Sequence, residues 1–193
     1  MGLSDQQIEV LLRPIRPERV LQAQGQSHVP AYDVAAHLTR VLGFGNWETR
    51  TLSCNLLFEE QELKENAKTH KNYVAWTVGY SAMVRLTIRD LSGEYVASWE
   101  NGAAGDAVNQ PSRADAHHLA MTTAISTALK RCAAFGLGDQ FGLSLYNKGS
   151  MGPLIKTIVG GGPQGTGAPD VESHIPKPET IGNDEKDPER PFE

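Results

Sequence analysis

The segment from Trp76 to Ile88 alternates between apolar and polar residues, and this pattern constrains the fold more than any other feature of the chain. Its even-numbered positions are all apolar, and the positions between them are polar or glycine except for Met83. Successive side chains of a β-strand point to opposite faces, so this period of two predicts a long strand with one buried face. Such a strand needs neighbouring strands and a second layer of structure over the buried face.

The flanking sequence predicts two partner strands for this central strand. The first is expected over residues 47–58, with alternate side chains pointing inward at Leu52, Cys54, Leu56 and Phe58. Residues 59–72 are highly charged and are expected to form an exposed hairpin loop. Residues 90–93 predict a turn, and a third strand then includes Tyr95, Ala97 and Trp99. Residues 101–111 are expected to be loop, so the sheet is predicted to contain three sequential antiparallel strands.

Three helices are predicted around this sheet. Ser4 is expected to cap a short helix that ends before Pro14, and a second amphipathic helix is expected over residues 33–42. A long helix is expected over residues 112–135, with its apolar stripe at Leu119, Ile125, Leu129 and Cys132 and its end at Gly136. A short final element holds Phe141, Leu143 and Tyr146. The predicted fold class is α+β, an antiparallel β-meander packed by one long helix.

The composition divides the chain into a domain and a tail near residue 150. Residues 1–150 are expected to form one domain, and residues 151–193 a Gly/Pro-rich linker with an acidic tail that is disordered. From Gly161 onward acidic residues exceed basic ones by five, which equals the net charge of −5 of the whole chain. Residues 1–160 are therefore formally neutral, which leaves room for a local basic strip. The tail is expected either to be inert or to compete with an anionic ligand for that strip.

Several functional classes find no support in the sequence. No apolar run approaches the ~20 residues of a membrane span, and the first residues lack a secretory-signal pattern, so a cytoplasmic protein with reduced Cys54 and Cys132 is expected. His117 and His118 point about 100° apart on a helix and have no third ligand at helical spacing, which disfavours a metal site. Neither a phosphate-binding loop nor a nucleophilic triad stands out. We therefore expect neither an enzyme nor a bound cofactor.

Lys130 and Arg131 are adjacent cations near the end of a long helix that is otherwise mostly apolar or small. They can interact favourably with the dipole at the helix C-terminus, or they can contact phosphates. Composition alone leaves both interpretations open. Arg85 and Arg89 lie on the polar face of the central strand, where isolated arginines are usually only solvated.

Three segments of the chain occur in an order that resembles a known family. They are residues 30–47 with the sequence GFGNW at their end, YSAMVRL at 80–86, and ALKRCAAFG at 128–136. Leu137 and Gly138 and the sequence LYNK at 145–148 fit the same pattern. Over roughly residues 8–148 the chain resembles the Rad52/Rad22 family of single-strand annealing proteins.

This resemblance implies a domain that assembles into rings or open multimers and anneals complementary DNA strands in recombination and double-strand break repair, without nucleotide hydrolysis. It implies that Lys130 and Arg131 contact the phosphates of single-stranded DNA and that Phe44 lies near the DNA groove. A second, weaker region, which could also take duplex DNA, matches Arg89 and Arg113. The candidate DNA-binding residues are thus Lys130, Arg131, Phe44, Arg89, Arg113, Arg85 and Lys148.

The sequence departs from the charge pattern of that family. Asp33 and Ala134 stand where the family has basic residues, as do Leu119, Met121 and Thr122 in the long helix. Fewer charges per subunit make multimerisation more important for DNA binding, because many weak sites that engage one DNA strand together give a high overall affinity.

The resemblance leads us to expect a minimal bacterial or phage type, without the long extension that binds a recombinase in eukaryotic members of the family. A single-strand binding protein or a nuclease of the host or phage is then an expected partner. Three alternatives remain open: a single-strand binding or end-protection protein that does not anneal, a purely structural ring, and a metal-dependent hydrolase that uses the two histidines.

Overall fold

The structure is a computed structural model that describes residues 2–23 and 26–146. The predicted acidic tail at 151–193 and the candidate residue Lys148 lie outside the described residues. Three α-helices and two antiparallel sheets are present within these described residues. The structure therefore has the α+β class that the sequence predicts.

The larger sheet is the predicted three-stranded meander. It consists of β3 (Trp47–Glu65), β4 (Asn72–Arg89) and β5 (Tyr95–Gln110), in the order β3-β4-β5 with antiparallel pairing throughout. The central strand buries one face, as its alternation predicts, at Val78, Ala82, Val84, Leu86 and Ile88. A small hairpin of β1 (Leu21–Ala23) and β2 (Gln26–His28), which the sequence analysis did not predict, precedes the sheet.

The prediction of a loop over residues 59–72 is wrong for most of that segment. Strand β3 continues to Glu65 and β4 begins at Asn72, with Glu65 and Asn72 directly paired. The turn between them is closed by hydrogen bonds from the Asn66 N–H to the Lys71 carbonyl (3.0 Å) and from the His70 N–H to the Asn66 carbonyl (2.8 Å). Charged side chains on the exposed faces of a hairpin do not interrupt its backbone pairing, so the charge of this segment was a poor guide to its structure.

The prediction of a loop over residues 101–111 is also wrong, because β5 extends through it to Gln110. The small residues of this segment have a packing role: a Cβ on Gly105 would lie 2.4 Å from the backbone nitrogen of Ala124 on the covering helix. Ala103 and Ala107 are buried on the same side of the strand. Glycine and alanine are therefore required here by the closeness of the helix and not by a turn.

The inward alternation predicted for the first strand is wrong as well. The pairing of β3 with β4 shifts between Thr51 and Ser53 and again between Leu56 and Phe58. Each extra residue in such a bulge changes which face the following side chains occupy. β3 is also an edge strand, so Leu56 and Phe58 remain 47% and 42% exposed.

The two shorter helices lie where the sequence predicts them. Helix α1 (Asp5–Leu11) begins with a capping box, in which the Ser4 hydroxyl accepts from the Gln7 N–H and the Gln7 side chain accepts from the Ser4 N–H. Helix α2 (Ala31–Leu42) buries an apolar stripe at Val34, Leu38 and Leu42. Short 3-10 helices occur at Pro17–Arg19, Asp139–Phe141 and Leu143–Tyr146.

The long helix, α3 (Arg113–Leu137), lies over β4 and β5, and its predicted stripe is confirmed at Cys132, Ile125 and Leu129 but is wrong at Leu119. Its buried side repeats every four residues at Ala116, Ala120, Ala124, Ala128 and Cys132, whereas Leu119 is 44% exposed. Gly136 does not end the helix; it lies inside it against the Trp99 ring, and Gly138 is the C-cap. The helix packs through its smallest residues, which allows the close approach at Gly105.

The largest core cluster lies where α2, the C-terminal half of α3 and the ends of the strands meet. Leu38 and Leu42 pack there with Leu86, Ile88 and Phe141. Cys54 and Cys132 are free thiols, as predicted, and burial raises the pKa of Cys132. None of the helices in residues 2–23 and 26–146 is long and apolar enough to cross a membrane.

Candidate nucleic-acid interface

Lys130 lies on α3 two turns before its end, half-buried and without a hydrogen bond or ion pair to any residue that the structure describes. Burial lowers the pKa of its ammonium group. A partly desolvated cation without a counter-charge is stabilised when an anion approaches it. An external anion would therefore stabilise the charged form of Lys130.

Arg131 follows directly and is held in place by the sheet. Its Nη1 donates a hydrogen bond of 2.8 Å to the carbonyl of Gly102 on β5. Its guanidinium also interacts with the Tyr146 hydroxyl, which opposes the rise that burial causes in the Tyr146 pKa. A guanidinium has five N–H donors, so it can contact a phosphate while these contacts persist. The two predicted phosphate contacts thus lie together on the last turns of α3.

Phe44 is presented on a tight turn between α2 and β3. Gly43 and Gly45 on either side have φ angles of 93° and 80°, and Asn46 Nδ2 donates to the Leu42 carbonyl at 2.9 Å. Glycine adopts such angles at no steric cost, so the turn holds the phenyl ring 92% exposed. Among the described residues, no hydrogen bond or ring contact joins Phe44 to Lys130 or Arg131.

Arg85 and Arg89 lie on the face of the sheet that points away from α3, which we term the open face. The Arg85 guanidinium is paired with Glu100 on β5, its Nε lying 2.8 Å from the carboxylate. Arg89 is 3.7 Å from a carboxylate oxygen of Glu48. Arg50, which sequence reasoning missed, stands directly opposite Arg85 in the strand register. Carboxylates of the same chain, Glu100 and Glu48, therefore offset part of the positive charge on this face.

Arg113 belongs to a separate cluster at the start of α3. Its Nε donates to Glu59 at 2.7 Å, and its guanidinium lies 5.3 Å from the centre of the Trp76 ring. Glu59 also contacts His117 at 3.3 Å, and His117 Nδ1 is 2.9 Å from the Tyr80 hydroxyl. The hydrogen bond from Arg113 is the main cause of the lowered pKa of Glu59. In this conformation Arg113 already has a carboxylate partner.

A sequence model describing the "Rad52/22 family double-strand break repair protein" matches residues 5–152, more than half of the chain. The chain belongs to the Rad52/Rad22 family. At the level of the family, this implies DNA repair and recombination by single-strand annealing. A comparison with curated proteins finds no match.

At Ala134 and Asp33, where the resemblance implies basic residues in the family, the structure shows which contacts the residues of this chain make. Ala134 is fully buried in the main core, where an arginine would not fit. Asp33 accepts two hydrogen bonds from Arg19, at 2.9 and 2.7 Å, and so stabilises the N-terminal segment. Leu119 and Met121 are both partly exposed on α3. Core packing at Ala134 and the ion pair at Asp33 account for two of these positions, and nothing in the structure explains Leu119 and Met121.

The sequence analysis disfavours a metal site at His117 and His118. No group of three or more potential ligands is present in residues 2–23 and 26–146, and His117 is engaged with Tyr80 and Glu59.

The tip of the β3–β4 hairpin forms a concavity that sequence reasoning missed. An open concavity of about 310 Å³ is lined by Asn66, Thr69, Lys71, Asn72, Tyr73 and Pro111. Asn66 and Lys71 come from the hairpin turn, whereas Pro111 follows β5. Because the whole segment was predicted to be loop, its residues could not be placed next to Pro111 from the sequence.

Proposed function

We propose that this protein binds single-stranded DNA through Lys130 and Arg131 and anneals complementary strands as a homo-oligomer, without nucleotide hydrolysis. The observation that carries the proposal is the pair of cations on one helix end of a Rad52/Rad22 domain, one of them half-buried and lacking a described counter-charge. Contacts to phosphates leave the base edges free, and free base edges are what strand pairing requires.

The proposed assembly is a ring or an open multimer. Support comes from β3, which is an edge strand of 19 residues with exposed apolar side chains at Leu56, Leu57 and Leu63. An exposed edge strand is a template for pairing with another chain, and exposed apolar side chains along it favour such an interface. A second copy of this chain is the partner that we propose for this edge.

The proposed setting is the cytoplasm of a bacterial host, with a single-strand binding protein or nuclease of the host or phage as a further partner. The phosphate-binding role proposed for Lys130 and Arg131 does not depend on this setting. Arg85, Arg89 and Arg113 are also proposed as DNA contacts. They are secondary to Lys130 and Arg131 because a carboxylate of the chain already engages each of them.

The test is an annealing assay with two complementary oligonucleotides, free of nucleotide and metal. We expect duplex formation to be accelerated by the wild type and slowed in a Lys130→Ala/Arg131→Ala variant. A matched control is Arg13→Ala/Arg16→Ala, which removes the same charge from an exposed N-terminal segment. Binding without acceleration would instead establish a single-strand binding or end-protection protein.

Oligomerisation is tested separately by mass photometry and light scattering. We expect masses that are multiples of the 21.0 kDa chain at micromolar concentration. Leu56→Lys/Leu63→Lys, which places charges on the exposed strand, should shift the distribution towards monomer. A 21.0 kDa species alone for the wild type would contradict the proposed assembly.

A further inference from the structure

Phe135 and Tyr146 form an exposed aromatic pair beside the Lys130–Arg131 turn. Their ring centres are 5.1 Å apart and their planes are inclined by 47°. Phe135 is 56% exposed and Tyr146 is 49% exposed, although each contacts the other. The rings come from different elements, α3 and the 3-10 helix Leu143–Tyr146. Two large rings that meet on the surface, outside the core, present a π-face to whatever binds there.

The backbone that carries Tyr146 is firmly held. Gly142 turns the chain with a φ of 85°, and a Cβ there would lie 2.8 Å from the Val29 side chain. The buried Asp139 carboxylate accepts hydrogen bonds from the Ser144 N–H (2.7 Å) and from the Ile15 N–H (3.1 Å). The 3-10 helix that carries Tyr146 is therefore joined to the rest of the domain by these contacts.

Arg131 joins this pair to the proposed phosphate contacts. It precedes Phe135 by four residues, so the two side chains lie on the same side of α3, about 6 Å apart along the axis. Its guanidinium also interacts with the Tyr146 hydroxyl. In the described part of the chain neither Lys130 nor Arg131 forms an ion pair with a carboxylate. Arg131 and the two exposed rings thus share one surface, and Lys130 is the next residue along the helix.

We propose that Phe135 and Tyr146 are a stacking platform for the nucleobases of single-stranded DNA whose phosphates are held by Lys130 and Arg131. This inference rests on the proposed function and adds that the protein binds the bases of the DNA as well as its phosphates. Proteins that bind single strands combine a cationic track with aromatic side chains on which bases stack, and stacking tolerates any sequence. Bases inside a duplex are already stacked, so the platform favours single strands over duplex DNA.

The first experiment compares binding of an oligothymidylate with binding of an abasic oligonucleotide of the same length, by fluorescence anisotropy over a range of salt concentrations. Both probes carry the same phosphates, so only the platform distinguishes them. We expect the wild type to bind the oligothymidylate at least about fivefold more tightly. The Phe135→Leu/Tyr146→Leu variant should lose this preference and keep the salt dependence of the wild type.

Two further variants complete the comparison. Phe135→Tyr keeps a ring and should retain the preference for bases. Tyr32→Leu removes a ring that is 73% exposed on α2 and should leave both affinities unchanged. If the double variant does not fold, 2-aminopurine in the oligonucleotide provides an independent measurement on the wild type, because stacking on the platform should change its fluorescence.

The outcomes separate the platform from the proposed function. Salt-dependent binding with equal affinity for both probes would overturn the platform alone. Retention of the preference by a folded double variant would also overturn it, as would a change of oligomeric state with an unchanged preference, which would identify the pair as a subunit contact. Absence of salt-dependent binding to either probe would overturn the proposed function and the platform together.

Discussion

Arg131 donates a hydrogen bond of 2.8 Å to the carbonyl of Gly102, which ties the last turns of α3 to the middle of β5. Lys130, its neighbour in the chain, has no such tie to a described residue. The two cations therefore differ in structural role although both are proposed to contact phosphates. The hydrogen bond to the sheet orients the Arg131 guanidinium, whereas the Lys130 ammonium can adjust its position to a bound phosphate.

This difference predicts separable effects of the two alanine substitutions. Lys130→Ala should reduce the salt dependence of single-stranded DNA binding by about one released counterion and leave the stability almost unchanged. Arg131→Ala should reduce the salt dependence similarly and also destabilise the domain by about 1 kcal/mol, because the Gly102 hydrogen bond is lost. Anisotropy titrations and urea unfolding measure the two effects. Salt slopes equal to that of the wild type in both variants would contradict the site.

The close approach of α3 to β5 predicts a sharp difference between two glycines of the same strand. Gly105→Ala would place a methyl group 2.4 Å from the Ala124 nitrogen, so it should destabilise the domain by roughly 1–3 kcal/mol. Gly102→Ala meets the end of the flexible Met83 side chain at 3.3 Å and the Ala82 carbonyl oxygen at an ordinary contact distance of 3.4 Å, so it should change the stability by less than about 0.5 kcal/mol. Thermal unfolding checks both, and equal melting temperatures would show that the helix moves away without cost.

His37 predicts a loss of stability in mild acid. Burial, reinforced by Arg19 and Arg40 and opposed by Asp33 and the Gln140 side chain, lowers the pKa of His37 from 6.5 to about 4. Between these two values the unfolded chain binds the proton and the folded chain does not, so the free energy of unfolding falls as the pH decreases through that window.

The wild type should therefore lose roughly 2–3 kcal/mol more than His37→Gln between pH 7 and pH 4.5. The exposed His118 provides the control, because His118→Gln should keep the pH dependence of the wild type. Urea unfolding at each pH gives the free energies. Parallel curves for the wild type and His37→Gln would mean that His37 does not titrate in this way.

The carboxylate partner of Arg113 predicts a gain of DNA affinity on its removal. Glu59→Gln should release the Arg113 guanidinium from its ion pair, so that single-stranded DNA binds about threefold or more tightly at low salt. Glu60→Gln removes the same charge from the next residue, which is exposed, and should have a smaller effect. If the two variants bind alike, Arg113 contributes only through the net charge of the domain.

Much of the architecture follows from local patterns. The alternation over residues 76–88 determines the central strand, and Ser4 and Ser112 mark the starts of two helices through their capping hydrogen bonds. The ends of β3, β4 and β5 were harder to predict from the sequence, because the charged residues of the hairpin and the glycines and alanines of β5 resemble loop sequence. In both places a neighbouring strand or helix overrides the local preference.

The sequence by itself determined the order of the three long strands and the three α-helices, the family and the adjacent cations Lys130 and Arg131. Only the tertiary structure decided which candidate cations are already neutralised, since Arg113 meets Glu59 and Arg85 meets Glu100 across different strands and helices. It also decided that Phe135 and Tyr146 come together on the surface. The reason is physical: periodicity and capping depend on residues close in the chain, whereas ion pairing, exposure and ring contacts depend on residues that meet only after the chain has folded.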